Sequence, residues 1–117
     1  MTGRLCSLLS HQFEPALRAR GQAYFGENRA SIVESDAESL SARVRGSRNY
    51  VLDLSLFDHS SKDSMELIMD CSCPYFLDYG RCKHVWAVLL LADSKGLLQP
   101  PESVQHILID DSWMEDL

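Results

Sequence analysis

Residues 71–84 read CSCPYFLDYGRCKH and place Cys71, Cys73, Cys82 and His84 in one short segment, which runs directly into the apolar block VWAVLLLA. Three of the chain's four cysteines fall there. Scattered cysteines and histidines are ordinarily just packed, and Cys6, His11, His59 and His106 are read that way. Four potential ligands in two tight pairs constrain the fold much more, because both pairs must reach one point. Upstream, the segment SMELIMDCSC alternates, so Met65, Leu67, Met69, Cys71 and Cys73 share one parity. A regular strand there aims the first two thiols along its buried face. Positions two apart on a helix do not face each other, so Cys82 belongs in the turn before a helix and His84 at its start. Between the pairs, Pro74 ends the strand, and Asp78 with Gly80 reverses the chain.

Three thiolates and a borderline imidazole suit zinc, and four protein ligands leave no open coordination position, so the site is expected to be structural. The cations beside the ligands, Arg81 and Lys83, are placed to offset the net negative charge of such a centre. Other cysteine chemistries fit worse. A thioredoxin-like redox pair has two residues between its thiols, whereas one separates Cys71 from Cys73. A zinc deaminase needs a glutamate two after the histidine, where this chain has Trp86. With no candidate nucleophile and no paired carboxylates at a telling spacing, an enzyme is not expected.

The rest of the sequence predicts an α+β fold with a small antiparallel sheet of three to four strands, an N-terminal helix and a zinc-clamped helix. A helix over 14–25 is predicted from Pro15 in the first turn, from Phe13, Leu17, Gly21 and Tyr24 on one stripe, and from Gly26 as the stop. A short strand is expected at 30–34. Residues 39–57 alternate, and a hairpin loop at Ser47, Arg48 and Asn49 would pair Val44 with Leu52, Ala42 with Leu54 and Arg43 with Asp53. In that register Asn49 is expected to take a left-handed backbone. A domain over 1–98 is expected, with a zinc unit at 64–93, and residues 99–117 form a tail or the start of a following segment. In that tail Val104, Ile107 and Leu108 have helical spacing ahead of an acidic end containing a tryptophan.

The longest apolar run is too short for a membrane span, and the N-terminus lacks the apolar core of a signal peptide, so an intracellular chain is expected, cytoplasmic or, in a eukaryote, nuclear. Eleven Lys and Arg against seventeen Asp and Glu give a formal net charge of −6, so any nucleic-acid contact must come from a local patch.

Taken together, Cys71-x-Cys73, Cys82-x-His84, Pro74, Gly80, Lys83 and Ala87 resemble the SWIM zinc finger. The resemblance implies one zinc on those four ligands in a ββα unit, and a module that binds DNA or another protein. SWIM fingers occur in bacterial helicase-like ATPases of the SWI/SNF class, and the stretches RGQAYFGENRASIVES and LSARVRGSRNYVLDL are similar to the segment before the finger in those proteins. No GxxxxGK[ST] loop is present, so an ATPase core would lie outside this sequence, in the same or a separate chain. Candidate nucleic-acid contacts are Arg43, Arg45, Arg48 and Lys83. The plainer reading of the hairpin arginines is a solvated sheet face. Trp86 is the candidate protein interface if it is exposed, and core if it is not. No membrane and no small-molecule substrate are expected.

Overall fold

The computed structural model describes residues 4–58 and 63–110. His59 and the tryptophan-containing end of the tail lie outside these residues. The chain forms α1 (Arg4–Leu9), a short 3-10 turn (Ser10–Gln12), α2 (Pro15–Gly26), β1 (Ala30–Ser35), β2 (Ser39–Arg45), β3 (Asn49–Asp58), β4 (Ser64–Cys71), α3 (Pro74–Tyr79), α4 (Lys83–Lys95) and β5 (His106–Ile109). Five strands lie in the order β1-β2-β3-β4-β5. The first four form an antiparallel meander, and β5 adds parallel to β4.

One sheet face carries Leu40, Ala42, Val44, Leu52, Leu54, Leu56, Leu67 and Met69, all buried. Alternation alone forces this set onto one side. The apolar helix α4 packs on that face, and α1 and α2 cover its outer side. Its Val85, Val88 and Leu89 are completely buried, which answers the need of an all-round apolar helix for cover on more than one side. Among the described residues the opposite sheet face is exposed, as at Val51 and Ile68.

Helices α2 and α4 cross closely at Gly21. A Cβ there would stand 2.7 Å from the Cβ of Trp86 and 2.8 Å from the carbonyl oxygen of Lys83. The helix α1 is held from its N-terminal side by the buried Asp93 of α4, whose carboxylate accepts from the amides of Leu5 (3.1 Å) and Cys6 (2.9 Å) and from Gln99 Nε2 (2.8 Å). Free amides at a helix start are satisfied in this way, with favourable charge. Beside Asp93, burial and that carboxylate push the Cys6 thiol far above its ordinary range.

Three expectations are corrected. The hairpin loop is Gly46, Ser47 and Arg48, with Arg45 facing Asn49, so β2 is displaced by two residues from the expected pairing. A shift of two keeps every side chain on its face, which is why the apolar pattern could not detect it. Val44 faces Tyr50, Ala42 faces Leu52 and Arg43 faces Val51, while Asp53 accepts from Ser41 Oγ at 2.6 Å. Asn49 is a strand residue, and among the described non-glycine residues only Asn28 and Leu98 have positive φ. Next, Val104, Ile107 and Leu108 are not on a helix: β5 extends the sheet to a fifth strand, and Leu98, Val104 and Ile107 join the core. The Arg4 guanidinium ties this segment down through the carbonyls of Pro100, Pro101 and Val104. Finally, His11 and His106 are exposed rather than packed. No described helix is long and apolar enough to cross a membrane.

Candidate metal centre

The last strand of the meander ends at Cys71, and the chain must turn there without losing its hydrogen bonds. Ser72 closes the ladder, since its amide donates to the Val51 carbonyl and its Oγ accepts from the Val51 amide, both at 3.1 Å. Cys73 then caps α3, its sulfur accepting from the Phe76 amide at 3.3 Å. The expected simple reversal between the pairs is thus a short helix opened by Pro74 and closed by Gly80 at φ 75°. A left-handed C-cap costs glycine little, because no Cβ meets the carbonyl. Arg81 Nε donates to the Gln12 carbonyl at 2.8 Å and pins the return. Cys82 is extended (φ −152°) and caps α4, so His84 falls in its first turn. The turn-then-helix placement inferred from the two-residue spacing is what the structure has.

The four ligand atoms of Cys71, Cys73, Cys82 and His84 lie within 4.8 Å of one another, and all four residues are buried. Cys71 Sγ is 4.0 Å from His84 Nδ1. Zinc–ligand bonds of roughly 2.0–2.3 Å put tetrahedral donors about 3.3–3.8 Å apart, so the cluster needs to contract by only about 1 Å. Hydrogen bonding from the Cys82 thiol is the largest influence on its neighbours, bringing Cys71 down to about 6 and Cys73 to about 5 against burial. The same bonds, with burial, push Cys82 up. Burial opposes charge on His84, but hydrogen bonds to Cys71 and Cys73 and their charge leave its pKa raised overall. Two of the three thiols thus already favour thiolate, the form a soft cation needs. This donor set fits zinc, and the cluster is positioned to hold one zinc ion.

The histidine is oriented by residues that local spacing does not reveal. The Tyr50 ring lies 4.6 Å from the imidazole and the Tyr24 ring 5.4 Å, edge-on. Gly46 closes the third side, for a Cβ there would be 3.2 Å from Tyr24 Oη and 3.5 Å from His84 Nε2. Among the described residues Nε2 has no hydrogen-bond partner, so packing rather than an acceptor fixes the ring with Nδ1 toward the sulfurs. Tyr24 was visible in the sequence only as part of a helix stripe, and Tyr50 only as a strand residue.

The other candidate residues separate. Trp86 is 6 % exposed and its ring is 5.0 Å from that of Phe13, so it is core and not an interface. Arg43, Arg45 and Arg48 are exposed. The expected Arg43–Asp53 pairing is absent because of the shifted register, which puts Val51 opposite Arg43. Lys83 Nζ lies 4.9 Å from the centre of the Tyr24 ring, and the Arg29 guanidinium 5.2 Å from it. Arg29 also donates to the Arg45 carbonyl at 3.2 Å. An open cavity of about 170 Å³ adjoins the centre, and its lining includes Arg20, Lys83, Tyr50 and Tyr75.

The SWIM zinc finger family model matches residues 69–93, from the end of β4 through most of α4. No curated protein and no solved structure matches the chain.

Proposed function

We propose that this chain is a zinc-held accessory module that contacts DNA through the surface around its metal centre. The observation that carries the reading is the cavity beside Cys73, Cys82 and His84, where Arg20 from α2 and Lys83 from α4 meet Tyr50 and Tyr75. The hairpin that bears Arg48 closes on the centre through Gly46, which lies against Tyr50 and His84. On a chain of net charge −6, Arg20 and Lys83 at one cavity make a local patch of the kind that phosphate contact requires. Exposed Tyr75 and Tyr79, with ring centres 4.5 Å apart, add a stacking surface of the sort that favours unpaired bases.

The test is fluorescence anisotropy with single-stranded and duplex DNA at low and moderate salt. Binding should weaken steeply with salt, be stronger for the single strand, and be lost in Arg20→Glu combined with Arg48→Glu. No binding at low salt, or equal binding by that variant, would remove the reading. The ATPase context rests on the SWIM resemblance: a helicase-like core would sit in the same or a separate chain, and the full open reading frame tests it. A protein-interaction role is the second reading, and the exposed apolar side chains of Ile68 and Leu77 favour it.

A further inference from the structure

Among the described residues His84 Nε2 is buried and has no hydrogen-bond partner. The other ring nitrogen, Nδ1, is on the sulfur side, 4.0 Å from Cys71 Sγ. A neutral histidine that binds a metal through one ring nitrogen carries its proton on the second. That proton ordinarily finds an acceptor, which sets the ring and strengthens the metal bond. A buried polar atom left bare at such a place calls for an explanation.

The surroundings of Nε2 narrow the choice of acceptor. The point where a Gly46 Cβ would stand is 3.5 Å from Nε2, 3.2 Å from Tyr24 Oη and 3.3 Å from Tyr50 Cε2. The nitrogen and the Tyr24 hydroxyl therefore border one gap, the space of a missing methyl group. The two tyrosines differ in what their hydroxyls do. Tyr50 Oη is engaged with Ser47 Oγ at 3.3 Å, whereas among the described residues no hydrogen bond occupies Tyr24 Oη. The Tyr24 ring meets the imidazole edge to face, with centres 5.4 Å apart. Lys83 Nζ and the Arg29 guanidinium lie over that ring at 4.9 Å and 5.2 Å, which holds it beside the histidine.

We infer that Tyr24 is a positioning residue for the metal, its hydroxyl accepting the Nε2 proton of His84 when the four ligands draw together. The cluster has to contract by about 1 Å to hold zinc, and that contraction moves the imidazole at this gap. Gly46 keeps the gap free of a side chain, so the nitrogen and the hydroxyl can close on each other. Tyr24 is half-buried, so its own O–H can still turn to water while its oxygen accepts. Helix α2 supplies no ligand, yet through this bond it fixes the orientation of the one imidazole in the set. The inference goes beyond the nucleic-acid reading and does not depend on it, because it concerns how firmly the metal is held.

The test compares the zinc-loaded full chain with Tyr24→Phe, Tyr50→Phe and Gly46→Ala, by competition against a chromophoric chelator and by long-range proton–nitrogen NMR of His84. Tyr24→Phe keeps the ring and its packing and removes only the acceptor, so it should hold zinc about tenfold more weakly. Tyr50→Phe should hold it as wild type does. Gly46 has no positive φ, so Gly46→Ala adds a methyl without backbone strain and should weaken zinc at least as much as Tyr24→Phe. In wild type the NMR should show a proton on Nε2 that exchanges slowly with water, and in Tyr24→Phe the same proton should shift and exchange faster. A packing role for the ring would move neither reading in Tyr24→Phe. Wild-type zinc affinity in Tyr24→Phe, or an equal loss in Tyr50→Phe, would overturn the proposal. So would a wild-type proton on Nδ1 in place of Nε2, or an Nε2 proton exchanging as fast as those of the exposed His11 and His106.

Discussion

Replacing Gly21 by alanine puts one methyl group into the crossing of α2 and α4. The added carbon would lie 2.7 Å from Trp86 Cβ, 2.8 Å from Trp86 Cδ1 and 2.8 Å from the Lys83 carbonyl oxygen. Two of those three atoms are fixed by the backbone of α4, so no side-chain rotation clears them, and the helices must separate. Overpacking of this kind costs about 1–3 kcal/mol, and the rigid neighbours argue for the upper part of that range. Alanine also favours the helix over glycine by about 1 kcal/mol. The net expectation is a loss of about 2 kcal/mol. Gly26, at the last position of the same helix, has nothing within 4 Å of the corresponding carbon and no positive φ. Gly26→Ala therefore isolates the propensity gain and should be neutral or stabilising by up to about 1 kcal/mol. Urea unfolding of the zinc-loaded proteins, followed by circular dichroism, gives both values. Because Lys83 and Trp86 flank His84 in sequence, Gly21→Ala should also release zinc faster to a chelator. A Gly21→Ala protein as stable as Gly26→Ala would refute the close crossing and the packing reasoning built on it.

Cys82→Ser, or chelation, should unfold at least the β4–α4 unit, since zinc binding in small finger peptides contributes roughly 10 kcal/mol or more of folding free energy. Full near-ultraviolet circular dichroism after metal analysis confirms zinc loss would contradict this. Acidification should oppose metal uptake: in the metal-free protein Cys71 and Cys73 are depressed to about 6 and about 5, mainly by hydrogen bonds from Cys82. Depressed thiols stabilise the fold above their unfolded value, and that contribution disappears as pH falls through the folded ones. Zinc uptake by the metal-free protein should therefore weaken between neutral pH and about 5, and uptake independent of pH over that range would count against the cluster. Asp93→Ala leaves the Leu5 and Cys6 amides without their acceptor and should cost about 1–3 kcal/mol, with Asp93→Asn costing less. Equal urea midpoints for wild type and Asp93→Ala would show that the α1 attachment contributes nothing.

What the sequence determined is whatever a local period or a short spacing can carry. Parity along β4 sent Met65, Leu67, Met69 and Cys71 inward, and the two-residue gap between Cys82 and His84 required a turn followed by a helix start. Pro15 and Gly80 act within one turn of where they stand, so their effects were legible too. The tertiary structure decided every choice between alternatives of equal local merit. Displacing β2 by two residues preserves its faces, so the choice between Arg43 and Ser41 as neighbour of Asp53 depended on how Gly46 fits against Tyr24, Tyr50 and His84. Short apolar runs such as Val104 to Leu108 suit a helix stripe or a strand equally, and the open edge of β4 made the selection. Trp86 was surface or core depending on whether α2 could approach α4, which the missing side chain at Gly21 allows. The meeting of Arg20 with Lys83 at one cavity likewise exists only once distant segments have met, because a charge acquires its neighbours from the fold and not from the adjoining residues.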